Sequence, residues 1–308
     1  MSVIECVPNV SEGRRLELVE ALAGDVRAVP GLALLDCSSD PSHNRSVFTM
    51  AGQGASIQSA VLALVGRAVA AIDLRTHQGA HPRIGAVDVV PLVPLAGATM
   101  AECVALAGTI GRAIAETFQV PVFLYEQAAT QPARVNLANI RRGGFEGLRD
   151  KMTRPEWAPD FGPRTPHPTA GATVVGARRP LIAFNVNLAT DCLDTARRIA
   201  AAVRESSGGL PFVKALGLPL EHRGIVQVSM NLTNFEATPI QAAFDRVALE
   251  ADKLGVGIFD SELVGLIPRA ALAGTSATHL CLRHFSERQI LEVQIGDAIG
   301  PGSESPRR

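Results

Sequence analysis

A chain of 308 residues with 47% hydrophobic content is long enough to fill the cores of two ordinary domains. Its formal net charge of -1 and 4% aromatic content exclude the cationic excess and stacking platforms of nucleic-acid binding, so a small-molecule ligand is expected. The longest apolar runs, such as 60–71, are broken by Gly66 and Arg67, short of the roughly 20 residues of a membrane span, and the N-terminus has no secretory pattern.

Residues 4–7 read as a strand, after which Ser11 is placed to cap a helix with the apolar stripe Leu16, Val19, Leu22 and Val26. Strands are expected over 31–36 and 45–50, joined by the turn Asp40-Pro41-Ser42-His43. A helix over 55–72, a strand over 86–93, a helix over 99–118 and a strand over 120–125 follow. Residues 153–168 are too polar and proline-rich for regular structure. The second half repeats the plan: strand 181–188, helix 190–204, strands 212–218 and 224–231, helix 239–254 and strand 257–263. Each half thus reads βαββαβ, with a charged turn between the central strands, His43-Asn44-Arg45 in one and Glu221-His222-Arg223 in the other. An α+β protein of two ferredoxin-like subdomains is expected, 1–178 and 179–300, with the ligand between them and a flexible tail over 301–308.

Five cysteines, Cys6, Cys37, Cys103, Cys192 and Cys281, are an odd number without CxxC spacing, which suits free thiols in a reducing, cytoplasmic compartment. The most chemically loaded segment is Thr76-His77-Gln78-Gly79-Ala80-His81-Pro82-Arg83-Ile84-Gly85. His77 and His81 have the spacing of a helical metal pair, but Gly79 and Pro82 oppose a helix, and no metal site is expected. The segment is an ordered loop feeding a strand; a histidine there either bonds backbone or exchanges a proton near neutral pH. Gly79 and Gly85 permit close approach to the backbone. Asp88 on the strand behind is either structural or an orienting partner.

Residues 77–91 resemble the signature of the formiminotransferase family. Glu5-Cys6-Val7-Pro8-Asn9-Val10-Ser11-Glu12-Gly13 resembles its N-terminus and Asp40-Pro41-Ser42-His43-Asn44-Arg45-Ser46-Val47 its second block. Residues 159–163, 171–178, 182–188, 224–234 and 261–268 resemble later blocks in order. The resemblance implies transfer of a formimino group from N-formiminoglutamate to tetrahydrofolate, a late step of histidine degradation, by a free-standing homodimeric transferase. His81 matches the family's catalytic histidine. The acid expected to assist it falls at Ser38, so either Asp36 or Asp40 takes its place or the assistance is dispensable. The folate-binding segment maps to Gly162-Pro163-Arg164-Thr165-Pro166-His167-Pro168-Thr169-Ala170-Gly171, which departs from the animal pattern at 164–170. Both substrates carry carboxylates, so His77, Arg45, Arg83, Arg178 and Lys214 are candidate substrate contacts, guanidinium matching carboxylate in a forked geometry. Asn185, Asn187, Asn231 and Asn234 either meet the pterin edge or close sheet ends. Two other readings stay open: a relative handling formyl groups, and a folate-binding module without turnover.

Overall fold

In the computed structural model, which describes residues 2–220 and 223–299, the first apolar run breaks at Pro8, which has no N–H to give a sheet. The result is an interrupted strand, β1 (Ile4–Cys6) and β2 (Asn9–Val10). Helix α1 (Leu16–Arg27) buries Val19, Leu22 and Val26 but leaves Leu16, expected in the stripe, 64% exposed. Ser11 is not its cap. Arg15 holds that position, Glu12 Oε1 accepts the N–H groups of Arg14 and Arg15, and Ser11 Oγ donates instead to the carbonyl of Gly85.

Strands β3 (Leu32–Asp40) and β4 (Arg45–Gly52) run further than expected and pair as a hairpin, Asp40 opposite Arg45. Then come α2 (Gly54–Ala71), β5 (Val87–Pro94), α3 (Met100–Phe118) and β6 (Val122–Glu126). Thr99 and Glu102 close a capping box at the start of α3. Two short helices, α4 (Leu137–Arg141) and α5 (Leu148–Met152), and a strand, β7 (Thr173–Ala177), were not expected. Contrary to the reading of the apolar runs, α2 is long and apolar enough by length and composition to cross a membrane. Its stripe Ile57, Ala60, Val61, Leu64, Val65 and Ala68 is fully buried in the core, as in a helix laid on a sheet.

The chain divides into two units, Met1–Arg178 and Arg179–Arg308. The first unit's sheet runs β3, β4, the broken strand β1 and β2, β5, β7, β6; β7 is parallel to both its neighbours and the other pairings are antiparallel. Both sheet faces are covered. Phe48, Met50, Val90 and Leu92 pack with α1, α2 and α3, while Val89, Phe123 and Tyr125 pack under α4 and α5 with Ile140, Leu148 and Met152. Burial on both sides explains why β5 is a nearly continuous apolar run.

The second unit is β8 (Ile182–Leu188), α6 (Leu193–Val203), β9 (Val213–Leu220), β10 (Ile225–Leu232), α7 (Ile240–Lys253) and β11 (Ile258–Val264), followed by α8 (Leu291–Ile299). Its antiparallel sheet has the order β11, β8, β10, β9. Phe184, Val186 and Leu188 join the core with α6 and α7, and the two-residue period turns Asn185 and Asn187 to the other face. The fold is mixed α/β with two sheets. The turn residues Glu221 and His222 and the tail over 301–308 lie outside the described residues.

Candidate active site

Asn44 ties the site together. It sits in the turn after β3 with φ 48, a left-handed conformation that asparagine tolerates. Its Oδ1 accepts the N–H of Gly13 at 2.9 Å, its Nδ2 donates to the carbonyl of Gln78 at 3.0 Å, and its own carbonyl accepts from Nε2 of His77 at 3.0 Å. One buried side chain therefore fixes the N-terminal motif, the β3–β4 turn and the histidine loop. Gly79 is the close-approach point: a Cβ there would overlap the carbonyl of His43.

His81 lies on this frame in a shallow cavity lined by Ser11, His43, Asn44, Arg45, His77, Arg83 and Asp88. Arg45 Nη1 donates to His81 Nε2 at 3.0 Å. A guanidinium can only donate, so Nε2 carries the lone pair and the neutral ring holds its proton on Nδ1. Burial first, then the charges of Arg45, Arg141 and His43, push the His81 pKa down to about 3, with Asp40 opposing them. The ring is a neutral acceptor at ordinary pH.

His77 and Arg83 hold each other. Arg83 Nε donates to His77 Nδ1 at 3.0 Å, and its terminal nitrogens reach the His77 carbonyl at 3.1 Å and the Glu146 carboxylate at 2.8 Å and 3.1 Å. Both ring nitrogens of His77 are occupied. Asp88 proves to be the partner of Arg141, with Oδ1 accepting the N–H of Ile84.

The two proposed acids separate. Asp40 accepts the N–H groups of Ser42 at 2.8 Å and His43 at 3.0 Å, and its other oxygen pairs with His43 Nδ1. The His43 ring stands edge-on to His81, centroids 6.1 Å apart, so Asp40 approaches His81 through His43. Asp36 lies on β3 opposite Thr49, outside the cavity lining, where burial raises its pKa. Burial also raises the thiol of Cys6 and pushes Cys37 up to about 11, which silences both as nucleophiles.

The segment 162–171 is bonded to the histidine segment. Gly171 bridges Gly85, and Ala86 N–H donates to Ala170 O at 2.9 Å. Gly162 and Gly171 adopt φ 87 and 70, and His167 Nδ1 accepts the N–H of Ala170. Arg164, Thr165 and Pro168 are exposed; Pro163, Pro166, His167 and Thr169 are half-buried; Ala170 is buried. Arg178 follows β7, its N–H donating to Leu92 O near the far end of β5, roughly 15 Å of strand from the histidine loop. Lys214 is exposed on β9, an edge strand of the second unit, opposite Asn231.

In that unit Asn187 donates to Asp260 at 2.6 Å, Gln227 to Asn187 and to Glu262 at 2.8 Å, and Asn185 to Glu262 at 3.1 Å, an amide–carboxylate network buried at Asn187 and Asp260 and exposed at Glu262. Asn234 Oδ1 accepts the N–H of Ala237, closing a turn. Among the described residues no group of three or more His, Cys, Asp or Glu side chains is placed to hold a metal. Sequence reasoning did not single out three residues that the structure places in or beside this candidate site. His43 was read only as turn, Asn44 gave no signal beyond its turn context, and Arg141 lies 53 residues from the Asp88 it pairs with.

The family model described as the formiminotransferase domain, N-terminal subdomain, matches residues 3–178, and the formiminotransferase domain model matches 183–295. The chain is 47% identical over 294 residues to glutamate formimidoyltransferase of Streptococcus pyogenes, covering 95% of this chain and 98% of that one. It is 44% identical over 300 residues to glutamate formimidoyltransferase of Thermoplasma acidophilum, covering 97% and 99%. Formimidoyltransferase-cyclodeaminase of Rattus norvegicus is 42% identical over 281 residues, 89% of this chain and 52% of the longer relative. The chain belongs to the formiminotransferase family.

Proposed function

We propose that this enzyme transfers the formimino group of N-formiminoglutamate to N5 of tetrahydrofolate, giving 5-formiminotetrahydrofolate and glutamate, with His81 moving the proton. The observation that supports the role of His81 is its neutral ring, with Nε2 an acceptor held by Arg45 among the residues that line the cavity. The transfer makes the N5–C bond and breaks the C–N bond to glutamate, so one proton must leave N5 and one must reach the departing nitrogen. His81 accepts the first at Nε2 and returns it to the second, a service worth about 10²–10⁴ in rate. Holding both substrates together adds roughly 7–11 kcal/mol. Tetrahydrofolate supplies the nucleophilic amine and acts as a co-substrate.

The other assignments follow the family pattern. Residues 162–171 are read as the folate segment, supported by their bonds to the histidine segment and by the left-handed glycines at both ends. Arg45 is the preferred carboxylate anchor of the arginines, because Arg83 and Arg141 already hold Glu146 and Asp88. Asp40 is read as a positioning residue acting through His43. The strand orders support a ferredoxin-like reading of the second unit and of the β1–β5 part of the first. The family pattern also supports a homodimer and a place in histidine degradation, and five free thiols fit a reducing compartment such as the cytoplasm.

The test is 5-formiminotetrahydrofolate formation by the intact enzyme and by His81→Ala. The variant is expected to lose about 10²–10⁴ in kcat while binding folate within a small factor. Unchanged turnover removes His81 from this role, and exclusive use of N-formylglutamate as donor rejects the formimino assignment.

A further inference from the structure

Three arginines surround the histidine loop, and they differ in what satisfies them. Arg83 is paired with Glu146 and Arg141 with Asp88. Arg45 has no carboxylate within ion-pair distance among the described residues, although Asp40 and Asp88 act on it from further off. Its Nη1 donates to two neutral acceptors, Asn9 Oδ1 at 3.1 Å and His81 Nε2 at 3.0 Å. Its Nε is buried and has no hydrogen-bond partner. A half-buried guanidinium with an idle buried donor and no ion-paired carboxylate costs free energy that an incoming anion recovers.

We propose that Arg45 receives the α-carboxylate of the formimino donor and so sets the donor's departing nitrogen beside His81. The inference rests on the transfer reading above and names which carboxylate of which substrate the site takes. The departing nitrogen is bonded to Cα, and the α-carboxylate is bonded to the same carbon, so nitrogen and carboxylate oxygens lie roughly 3 Å apart. Arg45 and His81 are themselves in hydrogen-bond contact, so an α-carboxylate on Arg45 delivers its nitrogen to His81. The γ-carboxylate is separated from that nitrogen by the whole side chain. The carboxylates of folate are separated from N5 by an aromatic ring and an amide.

Arg45 uses Nε and Nη together when it meets a carboxylate in a fork. That fork is made by Nε and Nη2, as Arg141 makes it on Asp88, so Nη1 keeps its place on Asn9 and His81. The charged and titratable groups facing His81 are Arg45 from β4, Arg141 from α4, Asp88 from β5, Asp40 and His43 from the turn, and His77 and Arg83 from its own loop. A carboxylate added at Arg45 offsets one of the positive charges that depress the ring's basicity. The substrate thereby arms the base that acts on it.

The experiment uses the unmutated enzyme with tetrahydrofolate and three donors: N-formiminoglutamate, its α-amide and its γ-amide. The α-amide is expected to lose about 10²-fold in kcat/KM and the γ-amide less than about tenfold, since a buried charged donor is left unpaired only in the first. Equal losses, or a greater loss for the γ-amide, overturn the assignment. Arg45→Met is expected to erase the preference for acid over α-amide, and a retained preference overturns it. The third readout needs no turnover: the NMR titration of His81 is expected to move to higher pH when glutamate is bound, and an unmoved titration overturns the coupling. Failure of all three donors rejects the transfer reading and this inference with it, whereas turnover with a preferred α-amide rejects this inference alone.

Discussion

Arg141 Nε stands 2.8 Å from Oδ2 of Asp88, and the other oxygen of that carboxylate accepts the N–H of Ile84 at 2.7 Å. The Asp88 and Arg141 side chains are only 3% and 14% exposed. This pair clamps the short helix α4 to the mouth of β5, immediately after the histidine loop. Asp88→Ala leaves a largely buried guanidinium uncompensated, and a loss of about 3–5 kcal/mol is expected in urea unfolding. Combining it with Arg141→Met should recover part of that loss; strictly additive losses would show that the two side chains are not coupled.

Stability should also follow the state of His81. Its folded pKa is depressed to about 3, whereas the unfolded ring titrates near 6.5. Below 6.5 the unfolded chain therefore binds a proton that the folded chain refuses. The contribution is complete above pH 6.5 and is lost as the pH falls toward 3. Between pH 7 and pH 5 the loss is about 2 kcal/mol. Unfolding of the wild type and His81→Gln at both pH values checks this, because the variant should lack that share of the decline.

Asp36 and Asp40 should part company on mutation. Burial raises the pKa of Asp36, so its charge opposes folding increasingly as pH rises through the carboxylate range. Asp36→Asn is expected to leave turnover within twofold and to stabilise the chain at pH 7, by about 1 kcal/mol or less. Asp40→Asn keeps an oxygen for the turn but removes the charge beside His43. A fall in kcat of about tenfold is expected, with no further fall when His43→Gln is added, since the two would act as a unit. Independent losses in the double variant would sink that reading.

Gly79 offers a purely steric test. A methyl group there meets the backbone carbonyl of His43, in a turn whose His43 N–H is held by Asp40 and whose Asn44 side chain is bonded to Gly13 and Gln78. Gly79→Ala should displace the histidine loop and lower kcat by about 10²-fold, because misplacement by about 1 Å costs that much. The unfolding midpoint, measured alongside, distinguishes a displaced loop from a chain that no longer folds.

The order of elements was legible because apolar periodicity reports which faces are buried, and the same pattern recurs from Ile4 and from Ile182. Strand β7 escaped because its five residues follow a proline-rich stretch, and α4 and α5 because five residues hold too little periodicity to register. Gly79 and Pro82 made the loop around His81 legible, and the family resemblance singled out His81 within it. Its surroundings were not legible: the Asp88–Arg141 pair joins positions 53 apart, and the role of Asn44 depends on a left-handed backbone that the sequence does not display. Ser11 misled for a related reason. A serine ahead of a helix suggests a cap, yet a distant carbonyl claimed its hydroxyl.

Gly85 and Gly171 face each other across a gap that admits no side chain on either. The histidine segment and the 162–171 segment therefore share one backbone seam, and a shift of either displaces the other. A graft of the second segment from a relative would carry the setting of the histidine loop along with it. Substitutions are expected to be tolerated best at the exposed positions 164, 165 and 168, whose side chains lie off that seam.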